Sequence, residues 1–345
     1  MKFDINNLQR AYMIAEMSAN HAGSIERAKE IIWAAKEAGA DCVKIQTYTA
    51  DTLTIDCDNS YFHIDNGTWE GENLYHLYEK AYTPWEWQGE LKREAEKAEI
   101  DFLSTPFDKT AVDFLEELGM EFYKIASFEL VDIPLIEYVA SKGKPIILST
   151  GMGTAEEIEE AVRAIRGQGN EQIVLLRCAS AYPAVSDEMN LVTIQDMGKR
   201  FQVPVGLSDH SMGSLAAVTA VALGAKVIEK HFCLSRSIEN PDSSFSMEPQ
   251  EFRQMVEDVR LAEKAVGTVK YGPTSQEENS IVFRRSIFAV KDIEAGERVT
   301  AENVRIIRPG YGLKPKEYKK VIGMRAKERI PYGEPLSYDK LEEGE

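Results

Sequence analysis

Residues 204–233, PVGLSDHSMGSLAAVTAVALGAKVIEKHFC, place two imidazoles at strand-compatible spacing. Strand side chains alternate faces, so Ser208 and His210 share one face of the first apolar run, and Glu229 and His231 share one face of the second. The Gly/Ala-rich stretch between them fits a helical crossover, which sets the two strands parallel in one sheet. Imidazoles with carboxylate support suit Mn2+, Fe2+, Co2+ or Zn2+ better than Ca2+. Such an ion would polarise a carbonyl or orient a water. Two hydrogen-bonded core histidines would read the same way from this stretch alone, because it has no HxxxH or HExxH spacing.

Lys44 and Lys124 fall inside apolar runs, where an unpaired buried charge is costly. With Thr105, Ser127, Ser149 and Ser208 at other run ends, they are the groups to hold an oxyanion such as phosphate. Each serine taken singly reads equally well as a helix cap. Glu16, Glu129, Glu229 and Asp242 are candidate bases, acids or hydroxyl binders. Phosphate beside a metal-polarised carbonyl points to carbon–carbon bond formation with a phosphorylated three-carbon unit. A Schiff-base aldolase with Lys44 or Lys124 as nucleophile is the rival enzymatic reading.

These groups need one scaffold to gather them. Apolar runs recur at Tyr12–Ser18, Cys42–Tyr48, Asp101–Phe107, Phe122–Ser127, Pro145–Thr150, Ile173–Ser180, Pro204–His210 and Val227–Cys233, most followed by an amphipathic stretch. Eight alternations of strand and helix predict a (β/α)8 TIM barrel. Every run turns polar at its end, and barrel chemistry gathers at the C-terminal mouth. Helix starts are expected at Thr83-Pro84-Trp85-Glu86, as a capping box with proline in the first turn, and at Thr154 with Glu157. Gly39, Gly119 and Gly224 end helices just before strands.

Two segments interrupt the alternation. The connection Ala50–Tyr82 is over-long and rich in aromatics, which fits a lid or a cluster on the barrel flank. It holds His63 and His76, to which no role is assigned. Beyond the last helix, ending at Gly267, a polar stretch with Gly272-Pro273 reads as a linker. The expected division is a barrel over 1–268, a linker over 269–283 and a small, mostly β domain over 284–345.

Composition bounds the function. A formal net charge of −17 argues against a general nucleic-acid surface, so an anionic ligand must rely on local cations and backbone N–H groups. Cys42, Cys57, Cys178 and Cys233 have no CxxC spacing and read as reduced thiols. The opening MKFDINNLQRAY lacks an apolar leader core, and no apolar stretch is long enough to span a bilayer. The expectation is a cytoplasmic protein with neither nucleic acid nor membrane as partner.

The segment IAEMSANHAGSIERAKEIIWAAKEAGADCVKIQT resembles the opening of the sialic acid synthase family, which condenses phosphoenolpyruvate with an N-acylamino sugar. STPFD, YKIAS, STGM, the Ala-Tyr-Pro after the sixth run, GLSDH, EKHF and NPD are similar to that family's ordered motifs. RRSIFAVKDIEAGE and IIRPGYG resemble its C-terminal antifreeze-like (SAF, β-clip) domain. The resemblance implies that Lys44, Thr105, Lys124, Ser127, Ser149, Ser180 and Ser208 hold phosphoenolpyruvate. It implies that His210 and His231 bind a divalent ion (Mn2+ first, with Mg2+ or Co2+ as alternatives) that grips the sugar aldehyde. Glu16, Asn20, Gln46, Glu129, Tyr182, Glu229 and Asp242 would line the sugar and water positions. Arg308 would reach into the partner's barrel mouth within a domain-swapped homodimer.

Ser180, and the sequence Asn240-Pro241-Asp242-Ser243-Ser244-Phe245-Ser246, depart from typical sialic acid synthases and are similar to the pseudaminic acid synthase branch. That branch implies 2,4-diacetamido-2,4,6-trideoxy-L-altrose as acceptor, with Phe245 beside the sugar, and pseudaminic acid and phosphate as products. Three rivals stay open: N-acetylneuraminate or legionaminate synthesis from a mannose-type acceptor, the Schiff-base aldolase, and a non-catalytic sugar-binding module.

Overall fold

Side-chain alternation along parallel strands sorts the larger part of this chain into an inner and an outer face. The structure, a computed structural model, describes residues 3–65 and 67–344; the outer limits of the expected domains, residues 1 and 345, lie outside that range. Among the described residues, eight parallel strands form one sheet. They are β1 (Tyr12–Glu16), β2 (Cys42–Thr47), β3 (Asp101–Pro106), β4 (Tyr123–Ile125), β5 (Ile146–Ser149), β6 (Ile173–Cys178), β7 (Val205–Asp209) and β8 (Val227–His231). Their order is β3-β2-β1-β8-β7-β6-β5-β4, so the last strand returns beside the first, with Glu16 opposite His231. The expected (β/α)8 architecture is present. Its ladder runs from β3 round to β4 and is not paired between those two, where β4 offers only three residues.

Helices follow the strands: α1 (Ile25–Glu37), then α2 (Ala50–Leu53), α3 (Leu74–Ala81) and α4 (Trp85–Lys97) after β2. Next come α5 (Lys109–Glu117), α6 (Ile133–Ala140), α7 (Ala155–Gly167), α8 (Thr193–Phe201), α9 (Leu215–Ala222) and α10 (Pro249–Val266). Helix α7 shows why: Thr154 and Glu157 form a reciprocal capping box, and Ile158, Ala161, Val162 and Ile165 bury one stripe. Gly39, Gly119 and Gly224 all take positive φ after their helices, a conformation costly for any residue with a Cβ. Thr83 does not cap α4. Helix α4 starts at Trp85 with Pro84 before it and no side-chain cap, because the Thr83 hydroxyl lies 3.3 Å from His21 Nε2.

Outward residues Met13, Ala15, Val43, Ile45, Leu148 and Leu175 pack under the helices in the main core. Inward residues Tyr12, Ile14, Cys42, Leu103, Phe122, Ile147, Val174 and Val227 form a separate core inside the cylinder. Each fully buried aliphatic contributes roughly 1.5–3 kcal/mol. Phe3, Ile5 and Leu8 plug that inner core from the N-terminal side, Phe3 stacking on Phe122 at 4.6 Å between ring centres. Filling one end with apolar side chains leaves the polar strand ends at the other.

The chain divides into two units, Met1–Gly267 and Thr268–Glu345. The second has its own core of Ile287, Val299, Val304, Ile330 and Leu336. It pairs β9 (Ser286–Ala289) with β10 (Val304–Ile307), and β11 (Arg325–Ala326) with β12 (Leu341–Glu342), all antiparallel. Arg308, beyond β10, belongs to this unit. Among the described residues, no helix is long and apolar enough to cross a membrane.

Candidate active site at the strand ends

The period-two alternation that buries Ile14, Cys42, Phe122, Ile147 and Val227 puts Glu16, Lys44, Lys124, Ser149 and Glu229 two residues further along the same inner faces. They meet. Lys44 Nζ lies 2.8 Å from Glu16 Oε2 and 3.4 Å from Glu229 Oε1. Lys124 Nζ lies 3.7 Å from the same Glu229 oxygen and donates to Ser149 Oγ at 2.7 Å and the Ile125 carbonyl at 3.1 Å. Lys44 also reaches Thr105 Oγ1 at 3.3 Å, and Ser208 Oγ donates to Glu229 at 3.2 Å. Gln46 Nε2 donates to Glu16 and to Ser18 Oγ, 3.0 Å each.

Charge is distributed unevenly here. Burial works against the Lys44 ammonium, but Glu16 and Glu229 outweigh it and hold its pKa above the usual lysine range. Burial prevails at Lys124 and lowers it. Burial also raises Glu16, whereas at Glu229 the two lysines overcome burial and keep it ionised. Glu229 Oε2 has no hydrogen-bond partner, so this knot of charge has capacity for a polar ligand.

Beside it lies a hydroxyl cradle. Ser127 Oγ accepts from Gly151 N at 3.0 Å, and a Cβ at Gly151 would run into Ser127 and Ser180. Ser180 Oγ sits 3.5 Å from Cys178 Sγ just beyond β6.

His210 and His231 face each other with ring centres 5.4 Å apart. His210 Nδ1 lies 3.1 Å from the Ala179 carbonyl, which selects the Nδ1–H tautomer and leaves Nε2 with its lone pair. His231 Nδ1 is buried without a partner, and burial followed by His210 pushes that ring's pKa well below the usual range. Two facing imidazoles, one with an orphaned buried nitrogen, fit a divalent cation. Among the described residues, no three His, Cys, Asp or Glu side chains group as a complete metal site, so the carboxylate support expected from the sequence is not pre-formed.

Above these groups opens a cavity of about 340 Å3. Ser18, Gln46, Glu129, Tyr182, His231 and Asp242 line its polar side. Asp242 Oδ2 accepts from Ala19 N at 3.1 Å, and Asn20 Nδ2 donates to Ser246 Oγ at 2.9 Å, tying the loop after β8 to the loop after β1. Tyr182 packs on His210 at 4.2 Å and on Phe245 at 5.1 Å between ring centres. Phe245 in turn meets His231 at 5.0 Å. Burial pushes the Glu129 carboxyl up to about 7, and its Oε2 has no partner.

The residues 31–271 match the model of the NeuB family, and residues 284–342 match the SAF domain. The chain belongs to the NeuB family. It is 46% identical over 333 residues to a pseudaminic acid synthase of Campylobacter jejuni, covering 96% of this chain and 97% of that one. It is 44% identical to a pseudaminic acid synthase of Helicobacter pylori, over 97% of this chain and 99% of that one. A crystal structure of N-acetylneuraminic acid (sialic acid) synthetase from Leptospira borgpetersenii superposes with a TM-score of 0.71 at 32% identity, covering 80% of this chain and 91% of that chain.

In this NeuB-family chain the strand ends thus gather every barrel residue singled out from the sequence into one connected mouth. Arg308 belongs to the second unit. The sequence reading assigned no function to Ser18, Tyr48, Leu53, Trp69, Leu77 or Phe107, which also line the cavity. The signal for Leu53, Trp69 and Leu77 was the over-long Ala50–Tyr82 connection. It folds over the mouth rather than along the flank: Trp69 Nε1 donates to the Pro241 carbonyl at 2.9 Å, and Thr68 Oγ1 donates to the Tyr182 carbonyl.

Proposed function

We propose that this chain condenses phosphoenolpyruvate with 2,4-diacetamido-2,4,6-trideoxy-L-altrose to give pseudaminic acid and phosphate. One observation carries the reading. Two lysines from different strands converge on a single carboxylate inside a ring of hydroxyls, next to two facing imidazoles, in a chain similar over nearly its whole length to pseudaminic acid synthases. Lys44, Lys124, Thr105, Ser127, Ser149, Ser180 and Ser208 bind the phosphate and carboxylate of phosphoenolpyruvate. Gln46, Asn20, Tyr182, Asp242 and Phe245 seat the sugar. His210 and His231 would hold the divalent ion, Mn2+ in first place, which supplies Lewis-acid polarisation of the acceptor aldehyde.

The C2–C3 π pair of phosphoenolpyruvate attacks the aldehyde carbon, forming the new carbon–carbon bond; the carbonyl π pair moves to the aldehyde oxygen, which takes up a proton, and positive charge is left at C2. Glu16 or Glu129 takes a proton from the water that adds to C2. Glu229 keeps the two lysines aligned while the C2–O bond to phosphate breaks, phosphate leaves with that electron pair, and the C2 hydroxyl gives up its proton to become the ketone. Lysine ammonium groups stabilise the departing charge in a site closed to bulk water. The barrel over 1–268 performs this chemistry, and the domain over 284–345, joined through 269–283, supplies Arg308 to the partner's mouth in a domain-swapped homodimer in the cytoplasm.

Release of phosphate from phosphoenolpyruvate, measured across N-acylated hexoses with and without Mn2+, tests the assignment. Turnover with the altrose acceptor above N-acetylmannosamine and the diacetamido-mannose isomer is expected; preference for a mannose-type sugar would shift the assignment to neuraminate or legionaminate synthesis. A specific observation favours testing the aldolase reading as well, since the lowered Lys124 is the kind of amine that forms Schiff bases. Borohydride trapping of Lys124 together with indifference to chelator would establish that chemistry instead.

A further inference from the structure

The cavity at the mouth is lined by two chemically distinct sets of residues. The polar set is Ser18, Gln46, Glu129, His231 and Asp242. A second set of lining residues, mostly from the Ala50–Tyr82 connection, is aliphatic or aromatic: Leu53 from α2, Leu74, Leu77 and Tyr78 from α3, with Phe107 after β3. Tyr48 braces it, its ring 5.7 Å from that of Tyr78 and 5.3 Å from that of Phe107. The indole N–H that could have served a ligand, Trp69 Nε1, is spent on the Pro241 carbonyl at 2.9 Å.

A hydroxyl pressed against leucine side chains loses its water partners with nothing in return, whereas a methyl group there gains burial. We propose that Leu53, Leu74, Leu77, Tyr78 and Phe107 form an apolar half-pocket that selects acceptors whose far end carries methyl groups in place of hydroxyls. The inference rests on the condensation reading for its orientation: the aldehyde end lies at His210 and His231, so the tail of the open-chain sugar extends away from the imidazoles. The selected class is the 6-deoxy acylamino sugar, and the residues assigned are determinants of specificity that touch the tail rather than the reacting carbons. A hydrophobic pocket distinguishes ligands differing by one such group by about ten- to two-hundredfold.

The experiment is calorimetric titration of the intact protein, loaded with Mn2+, with 2,4-diacetamido-2,4,6-trideoxy-L-altrose and with its 6-hydroxy counterpart. Wild type is expected to bind the 6-deoxy sugar at least about tenfold more tightly. Leu53→Asn and Leu74→Asn, at half-buried positions on two different helices, should each weaken the 6-deoxy sugar by about tenfold and the 6-hydroxy sugar by less than about threefold, with phosphoenolpyruvate affinity unchanged. Thermal melts identify a variant that misfolds, and the other helix's variant then decides. Equal wild-type affinity for the two sugars, or equal losses for both in a folded variant, overturns the inference. A clear 6-deoxy preference without any phosphate release would instead overturn the condensation reading and leave the half-pocket standing.

Discussion

Lys44 Nζ and Glu16 Oε2 stand 2.8 Å apart with both side chains almost wholly withdrawn from solvent, at the level of the barrel where apolar filling gives way to charge. A buried ion pair recovers its desolvation cost only while both partners remain. Lys44→Met is therefore expected to lower stability by about 3 kcal/mol, because Glu16 and Glu229 lose their common cation. Adding Glu16→Gln should restore part of that loss without restoring turnover. Denaturant unfolding of the single and double variants checks the first statement, and phosphate release checks the second.

The imidazole pair yields a test independent of activity. A ligand that binds only the folded chain raises stability by RT ln(1 + [L]/Kd), about 2.7 kcal/mol at a hundred times Kd. Mn2+ should raise the melting temperature of wild type and leave His210→Ala and His231→Ala unmoved. Each variant should also lose at least about a hundredfold in kcat/KM. A Mn2+-dependent shift that persists in both variants would place the cation elsewhere.

Gly151 makes the hydroxyl cradle a steric test. It is outside the left-handed region, so Gly151→Ala adds no left-handed backbone strain, yet the added methyl would run into Ser127 and Ser180. KM for phosphoenolpyruvate should rise at least about tenfold, while the acceptor's KM stays near wild type. Equal changes in both constants would show that the cradle does not hold the three-carbon substrate.

Strand order, helix faces and the polar mouth were legible because each follows from short-range alternation: Ile14 and Glu16, or Phe122 and Lys124, share a face by spacing alone. What was not legible depends on contacts between distant segments. Lys230 lies between Glu229 and His231, yet it faces outward and is fully used by Asp209 Oδ2 at 2.6 Å and the carbonyls of Ser211 and Gly213. A buried lysine in a strand run thus serves structure at Lys230 and the mouth at Lys44, and only the face it occupies separates the two. The unpaired β3–β4 edge, the folding of Ala50–Tyr82 over the mouth and the loss of Thr83 to His21 likewise arise from tertiary packing.

Ser18 sits two residues beyond β1 with φ of 44°, a left-handed backbone that a side chain makes costly. Its hydroxyl accepts from Gln46 at 3.0 Å and supports Asp242, so it joins the polar wall of the cavity. Ser18→Gly relieves the backbone and deletes the hydroxyl together. Stability should hold or rise by about 1 kcal/mol, while KM for the acceptor increases severalfold and KM for phosphoenolpyruvate does not. Unchanged acceptor KM would make Ser18 a conformational residue only.

Glu129 gives the pH dependence its sign. Its carboxyl titrates near 7 in the folded chain, raised from an ordinary 4.5 by burial first of all, so the folded state binds a proton that the unfolded state has already released. The stabilisation from this group is complete below about 4.5 and is lost as pH rises through 7. Glu129→Gln removes that dependence: the variant should match wild type near pH 5 and exceed it near pH 8, by up to about 3 kcal/mol. Catalysis runs the other way, since a base must be ionised, and the rising limb of the wild-type kcat/KM profile is expected near pH 7. Denaturant unfolding from pH 5 to 8 measures the first effect. If the rate profile of Glu129→Gln keeps that limb while turnover stays high, the proton acceptor is Glu16, whose buried carboxyl is likewise raised and lies at the Lys44 end of the mouth.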